Sequence, residues 1–185
     1  MTQVKQTQGG RRSVSTFVAG LALLAVPLAA AAQAPQAQLP NGASNVSETY
    51  QDWQMVCSMQ QEAKRCSVNQ QQADSKTSQR VLAVELQPQG DKAEGVLAMP
   101  FGLLLDKGVT LKVGEADIGP TLRFRTCLPQ GCLVPISLDA KALAALRKSN
   151  TLTVSAVSVA DQPMSLSVSL KGFGQALDRV AALAR

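Results

Sequence analysis

The chain runs to 185 residues, with 18 basic and 13 acidic side chains, 45% apolar and 3% aromatic residues, and no histidine. That length suits one domain, and so few rings leave little for nucleobases to stack on. The missing imidazole removes the commonest catalytic base and metal ligand, so neither a Ser-His-Asp nor a Cys-His arrangement can be built.

Residues 1–13 are polar and cationic, with Lys5, Arg11 and Arg12 and no acid. An apolar run follows from Val14 through Leu21, Leu23, Leu24 and Val26 to Ala32, broken by Pro27 and ending in Ala30, Ala31 and Ala32. This is the order of a secretory signal peptide, predicted over residues 1–32 with cleavage after Ala32. Arg11-Arg12 leaves a twin-arginine route open, although Ser13-Val14-Ser15 matches that pattern poorly. The run is short for a spanning helix, so no stable membrane span is expected after cleavage. Export places the protein in the periplasm, the medium or the cell envelope. Three basic residues leave with the signal, so the remainder carries 15 basic against 13 acidic residues. No block of like charge survives, and no nucleic-acid partner is expected.

Residues 33–47 are rich in Ala, Gln, Pro, Asn and Ser without an apolar period, and are predicted to be a flexible tether before a domain over 48–185. From Tyr50 the dominant period is two. Trp53, Met55 and Cys57 alternate with polar residues, as do Leu82, Val84 and Leu86, then Val109, Leu111 and Val113. Leu122 and Phe124, Leu152 and Val154, and the run Met164, Leu166, Val168 and Leu170 follow the same rule. Strict alternation puts one face on a core and one in water, the antiparallel pattern of a sandwich or barrel.

Two stretches are helical instead. Asp139 stands as an N-cap before 140–148, which ends in basic residues ahead of Asn150. In 175–185, Leu177, Val180 and Leu183 recur at helical spacing. Both are short with a narrow apolar stripe, as suits peripheral helices on a sheet edge or end.

The four cysteines form two close pairs, Cys57 with Cys66 and Cys127 with Cys132. Leu128-Pro129-Gln130-Gly131 puts proline second and glycine fourth in a turn, which brings its flanks within disulfide reach. Cys57 and Cys66 bracket eight polar or small residues, so a hairpin can pair them as well. Local pairing is preferred over crossed pairing, with tetrathiolate zinc as the rival. Neither pair has the two-residue knuckle spacing or a Cys-x-x-Cys redox motif. No metal or other cofactor is expected.

Paired carboxylates are the remaining route to catalysis, since glycosidases need only Asp and Glu. The candidates Glu94, Asp106, Glu115 and Asp117 fall in expected loops, where a solvated role is the simpler one. Arg123 and Arg125 are placed on the outward face of one strand, as grips for an acidic partner or as edge protection.

Trp53 and Cys57, then Cys66, then Met99-Pro100-Phe101-Gly102-Leu103 through Val109 resemble the invasion associated locus B family of exported bacterial proteins. Arg125-Thr126-Cys127 through Gly131-Cys132-Leu133-Val134-Pro135-Ile136, and Leu166–Leu170 running into Lys171-Gly172-Phe173, continue the likeness in the same order. The resemblance implies an all-β fold, an immunoglobulin-like antiparallel β-sandwich, in the periplasm or at the surface. It brings no active site. The expected function is a non-enzymatic, envelope-associated binding module, with a role in host-cell contact and an envelope or host-surface protein or glycan as partner. The alternative is a carboxylate-based hydrolase of envelope polysaccharide.

Overall fold

The computed structural model describes residues 39–61 and 63–183; the expected signal peptide lies outside them. In chain order the strands are β1 (Asn45–Tyr50), β2 (Trp53–Gln60), β3 (Ala63–Ala73), β4 (Arg80–Gln89), β5 (Lys92–Met99), β6 (Thr110–Val113), β7 (Ala116–Asp117), β8 (Thr126–Leu128) and β9 (Gly131–Leu138). Helix α1 (Ala140–Arg147), β10 (Thr151–Val157), β11 (Pro163–Ser169) and α2 (Phe173–Leu183) complete the chain. They form an antiparallel β-sandwich with two short helices. One sheet has seven strands in the order β1-β2-β3-β4-β5-β9-β8, the other four in the order β11-β10-β6-β7.

The first five strands run as a meander because three of their turns are as short as hairpins allow. Tyr50 pairs with Trp53, Gln60 with Ala63 and Gln89 with Lys92, each across two residues. Such loops need a positive φ to match the strand twist, and Gln51, Gln61 and Gly90 supply it at 53°, 46° and 66°. The 100–109 segment then carries the chain to the second sheet, and 118–125 brings it back.

Trp53, Met55, Val68, Leu82, Val84, Leu86, Leu97, Val134 and Ile136 line the inner face of the large sheet, and Leu111, Val154 and Val168 face them from the small one in a single core. Helix α2 packs on β1–β4 and buries Phe173, Ala176, Leu177, Val180 and Leu183. Helix α1 starts where the sequence places it, with the Asp139 carboxylate accepting from the Ala142 amide at 2.7 Å.

Several boundaries differ from the sequence reading. Leu39 is buried and Asn45–Ser47 stand in β1, so ordered structure begins inside the stretch read as a tether. The strand expected over 121–125 does not form; Leu122 makes a single bridge to Val109 and regular pairing starts at Thr126. That stretch crosses from one sheet to the other, so no single neighbour can pair with all of it.

Candidate functional site

The two hairpins β2–β3 and β8–β9 set the cysteines directly opposite each other, Cys57 against Cys66 and Cys127 against Cys132. Both pairs are bonded, with Cα atoms 4.0 and 3.9 Å apart. Directly opposed residues share a face of the sheet, and here it is the inner one. Cys57 is fully buried in the core while Cys127 is exposed at the short edge strand. Their positions are those of staples.

The acidic residues proposed for catalysis do not meet. Glu94 lies on β5, Asp106 in a 3-10 turn at Leu105–Lys107, Glu115 in the β6–β7 turn, and Asp117 on β7 with Lys112 3.7 Å away. All four are exposed. No group of three metal-binding side chains occurs among the described residues. Arg123 and Arg125 are exposed as expected, but on the crossover before β8 rather than on a strand.

Alternation places a different set of residues together on the outer face of the large sheet. Val56 and Ser58 of β2, Ser67, Asn69 and Gln71 of β3, and Ala83, Glu85 and Gln87 of β4 point outward, and the register carries this face on through Val96 and Ala98 to Pro135. Three grooves of about 770, 340 and 470 Å³ lie along this face, and Glu85 lines all of them. Pro120, Leu122 and Arg125 of the crossover wall the largest. The floor is low where Ala83 and Ala98 stand. Gly95 must remain a glycine, because a Cβ there would lie 1.9 Å from the Glu85 carbonyl oxygen. Sequence reasoning passed over these side chains because outward polar residues on a strand read as a solvated face. Only the register shows that they line one trough.

Inward polar groups are accounted for by long-range partners. Trp53 Nε1 and Gln70 Nε2 both donate to the Ser169 carbonyl, at 2.8 and 2.9 Å, and Gln72 Nε2 donates to that of Ser167 at 2.5 Å. These bonds cap the free edge of β11. On β1, Glu48 receives Arg179 Nε and Nη2 at 2.8–3.1 Å and the Tyr50 hydroxyl at 2.5 Å. The Arg179 hydrogen bonds, then that of Tyr50, hold the Glu48 carboxyl below the ordinary glutamate range. The same carboxylate pushes the Tyr50 phenol and the Arg179 guanidinium up. Just beyond the end of β3, Asp74 is held low by the Thr77 and Lys76 amides of its turn.

Four large apolar side chains are exposed among the described residues: Phe101, Leu105, Leu128 and Val159. Phe101 and Val159 lie on loops joined by the bond from the Val159 amide to the Gly102 carbonyl.

Comparison with known proteins agrees with this architecture. The family described as invasion associated locus B (IalB) protein matches residues 53–181. An invasion protein B homolog of Brucella abortus strain 2308 is 49% identical over 151 residues, covering 80% of this chain and 87% of that protein. Invasion protein B of Bartonella bacilliformis is 36% identical over 160 residues, covering 83% and 84%. The crystal structure of invasion associated protein B from Bartonella henselae superposes with a TM-score of 0.70 at 34% identity, covering 75% of this chain and 96% of that one.

Proposed function

The chain belongs to the invasion associated locus B family, and on that premise we propose that it is an exported, non-enzymatic binding module of the cell envelope, with an envelope or host-surface component as its partner. The observation that carries this reading is the outer face of the large sheet. It is an open trough of mixed polar and apolar side chains on a rigid support, with the covalent staples on the opposite face of the same sheet. Rigid elements that present many hydrogen-bonding groups suit recognition. A hydrolase would need two carboxyl groups in contrasting, enclosed environments; Glu94 shares the largest groove with Glu85, but both are exposed on its open face, and Asp106, Glu115 and Asp117 stand exposed on other elements.

Export through a signal over residues 1–32, a tether after it and a periplasmic or envelope location belong to the same proposal. Two disulfides support an oxidising compartment. No helix among the described residues is long and apolar enough to cross a membrane.

The test is in-cell photo-crosslinking from the outer face of the large sheet, with identification of what is held. Expected is one dominant adduct from positions 71 and 87, and none from Ser165 on the small sheet. Equal, diffuse labelling from all three positions contradicts the proposal. Mass spectrometry of the recovered protein is expected to find Gln33 at its N-terminus; an intact leader in the exported fraction argues against cleavage.

A further inference from the structure

The two disulfides stand in contrasting surroundings. We infer that Cys127–Cys132 is a site of thiol–disulfide exchange, at which a dithiol reductant opens the bridge and frees the crossover before β8 while Cys57–Cys66 stays closed. The chemistry goes beyond the binding-module reading; its bearing on the groove that the crossover walls rests on that reading.

Access separates the two bridges. A thiolate attacks a disulfide sulfur from the side away from the sulfur that leaves, so the rate depends on what stands there. β8 is the last strand of its sheet, and the bridge joins it to β9. On the side of Cys127 away from Cys132 no further described strand is paired, and Thr126 to Gln130 are all exposed. Cys132 is 3% exposed and opposes Met99 of β5, so the leaving sulfur is the buried one. Neither sulfur of the other bridge offers such an approach. Cys57 is without solvent contact and has Val46 of β1 opposite it on its far side. Cys66 is packed half-buried against the core, in a strand that α2 covers. The Lys64 amine, two residues away, donates to the Leu183 carbonyl at the end of that helix.

Charge favours the same sulfur. Residues 118–138 contain no acidic side chain, and Arg125 stands two residues before Cys127. The Arg80 guanidinium donates to the Gln130 carbonyl of the turn. Cations near a thiol favour its thiolate, both the attacking one and the one released. Asp74 is the one carboxylate among the described residues that line the groove at this turn.

The first thiolate of the dithiol bonds to Cys127 Sγ and the S–S bond breaks. Cys132 Sγ leaves with the electron pair and takes a proton from water. The second thiolate then attacks the dithiol's own sulfur in the mixed disulfide and releases Cys127, which is protonated in turn. The dithiol is oxidised to a disulfide, and the protein gains two electrons and two protons.

Little else holds the segment so released. β8 pairs with β9 over three residues, the Arg125 amide donates to the Leu133 carbonyl, and Leu122 exchanges two bonds with Val109. Pro120, Leu122 and Arg125 wall the largest groove, so the bridge fixes one side of it. The core keeps its own staple.

The probe is dithiothreitol, added in increasing amounts to the folded protein recovered from the exported fraction. Rapid alkylation and peptide mass spectrometry read each cysteine. Expected is opening of Cys127–Cys132 at least about a hundredfold faster than of Cys57–Cys66, because the second bridge must wait for the core to open. Trp53 fluorescence should not change as the first bridge opens. Glutathione, a monothiol, should be trapped on Cys127, with Cys132 left to alkylate. In the double variant Cys127→Ala with Cys132→Ala, hydrogen exchange at the Leu122 and Arg125 amides should quicken about tenfold or more, while β2–β4 keep the parent rates. Two bridges that open together, or only in urea, overturn the inference, as does glutathione on Cys132 or unchanged exchange at Leu122 and Arg125. Exchange at Cys127 as described, beside diffuse crosslinking in cells, removes the binding-module reading alone.

Discussion

Gly172 shows how one residue fixes the junction between β11 and α2. Its φ is +84°, and a Cβ there would lie 1.9 Å from the Tyr50 carbonyl oxygen. Backbone strain and a backbone clash therefore act together, and Gly172→Ala should cost more than about 3 kcal/mol, as large mutational effects with a named cause do. Urea unfolding measures it; a loss within experimental error would mean that the β1–β2 turn gives way freely. The cysteines allow a graded comparison. Closing loops of nine and five residues gives nearly equal entropic terms of about 2–3 kcal/mol, so the difference must come from packing. Each bridge has one buried sulfur, Cys57 or Cys132, but Cys57 lies in the core cluster with Cys66 packed half-buried against it, whereas Cys132 lies outside that cluster and its partner Cys127 is exposed. The double change Cys57→Ala with Cys66→Ala should destabilise more than Cys127→Ala with Cys132→Ala, by about 1 kcal/mol of lost core contact. Equal losses would show that the first bridge adds no packing. At this scale the candidate site was invisible in sequence. Asn69, Gln71 and Gln87 each look like an ordinary outward residue, and become a set only when β3 and β4 lie side by side.

How legible an element is depends on where its inward side chains find their partners. β4, β10 and β11 were evident because apolar residues fill alternate positions and pack locally. β1 and β3 were not, because Glu48, Gln70 and Gln72 point inward. Their partners are Arg179 of α2 and the Ser167 and Ser169 carbonyls of β11, roughly a hundred residues along the chain and beyond any local period. Alternation narrows the fold to an antiparallel sandwich or barrel and the family resemblance selects the sandwich; neither reveals the strand order. The Glu48–Arg179 bond, which ties α2 to β1, makes a prediction about pH. Because the folded-state pKa of Glu48 is depressed, its contribution is present above the unfolded-state value and is lost as pH falls through the folded one. Glu48→Gln should lower the thermal midpoint at neutral pH. The gap to the parent protein should close as pH drops below the ordinary carboxylate range. A gap that persists unchanged in acid would place the effect in packing instead of charge.

Across the whole molecule, one core cluster takes residues from both sheets and from α2. Trp53 is one of its largest fully buried side chains. Its ring meets Phe173 of α2 at 4.8 Å between centroids, and its Nε1 donates to the last residue of β11. Both rings are essentially without solvent contact, so detaching α2 would uncover the tryptophan and release the edge of the small sheet in the same event. Local melting of the helix is therefore as costly as opening the core, which makes a single cooperative transition the expected behaviour. Phe173→Ala removes the ring that α2 contributes and should cost about 3–5 kcal/mol. Since Trp53 is the only tryptophan in the chain, its fluorescence reports the core while far-ultraviolet circular dichroism reports the backbone. The two transitions should coincide in the parent and move together in the variant. If fluorescence shifted at lower denaturant than circular dichroism in the parent protein, α2 would be a separable lid and the single-core account would fail.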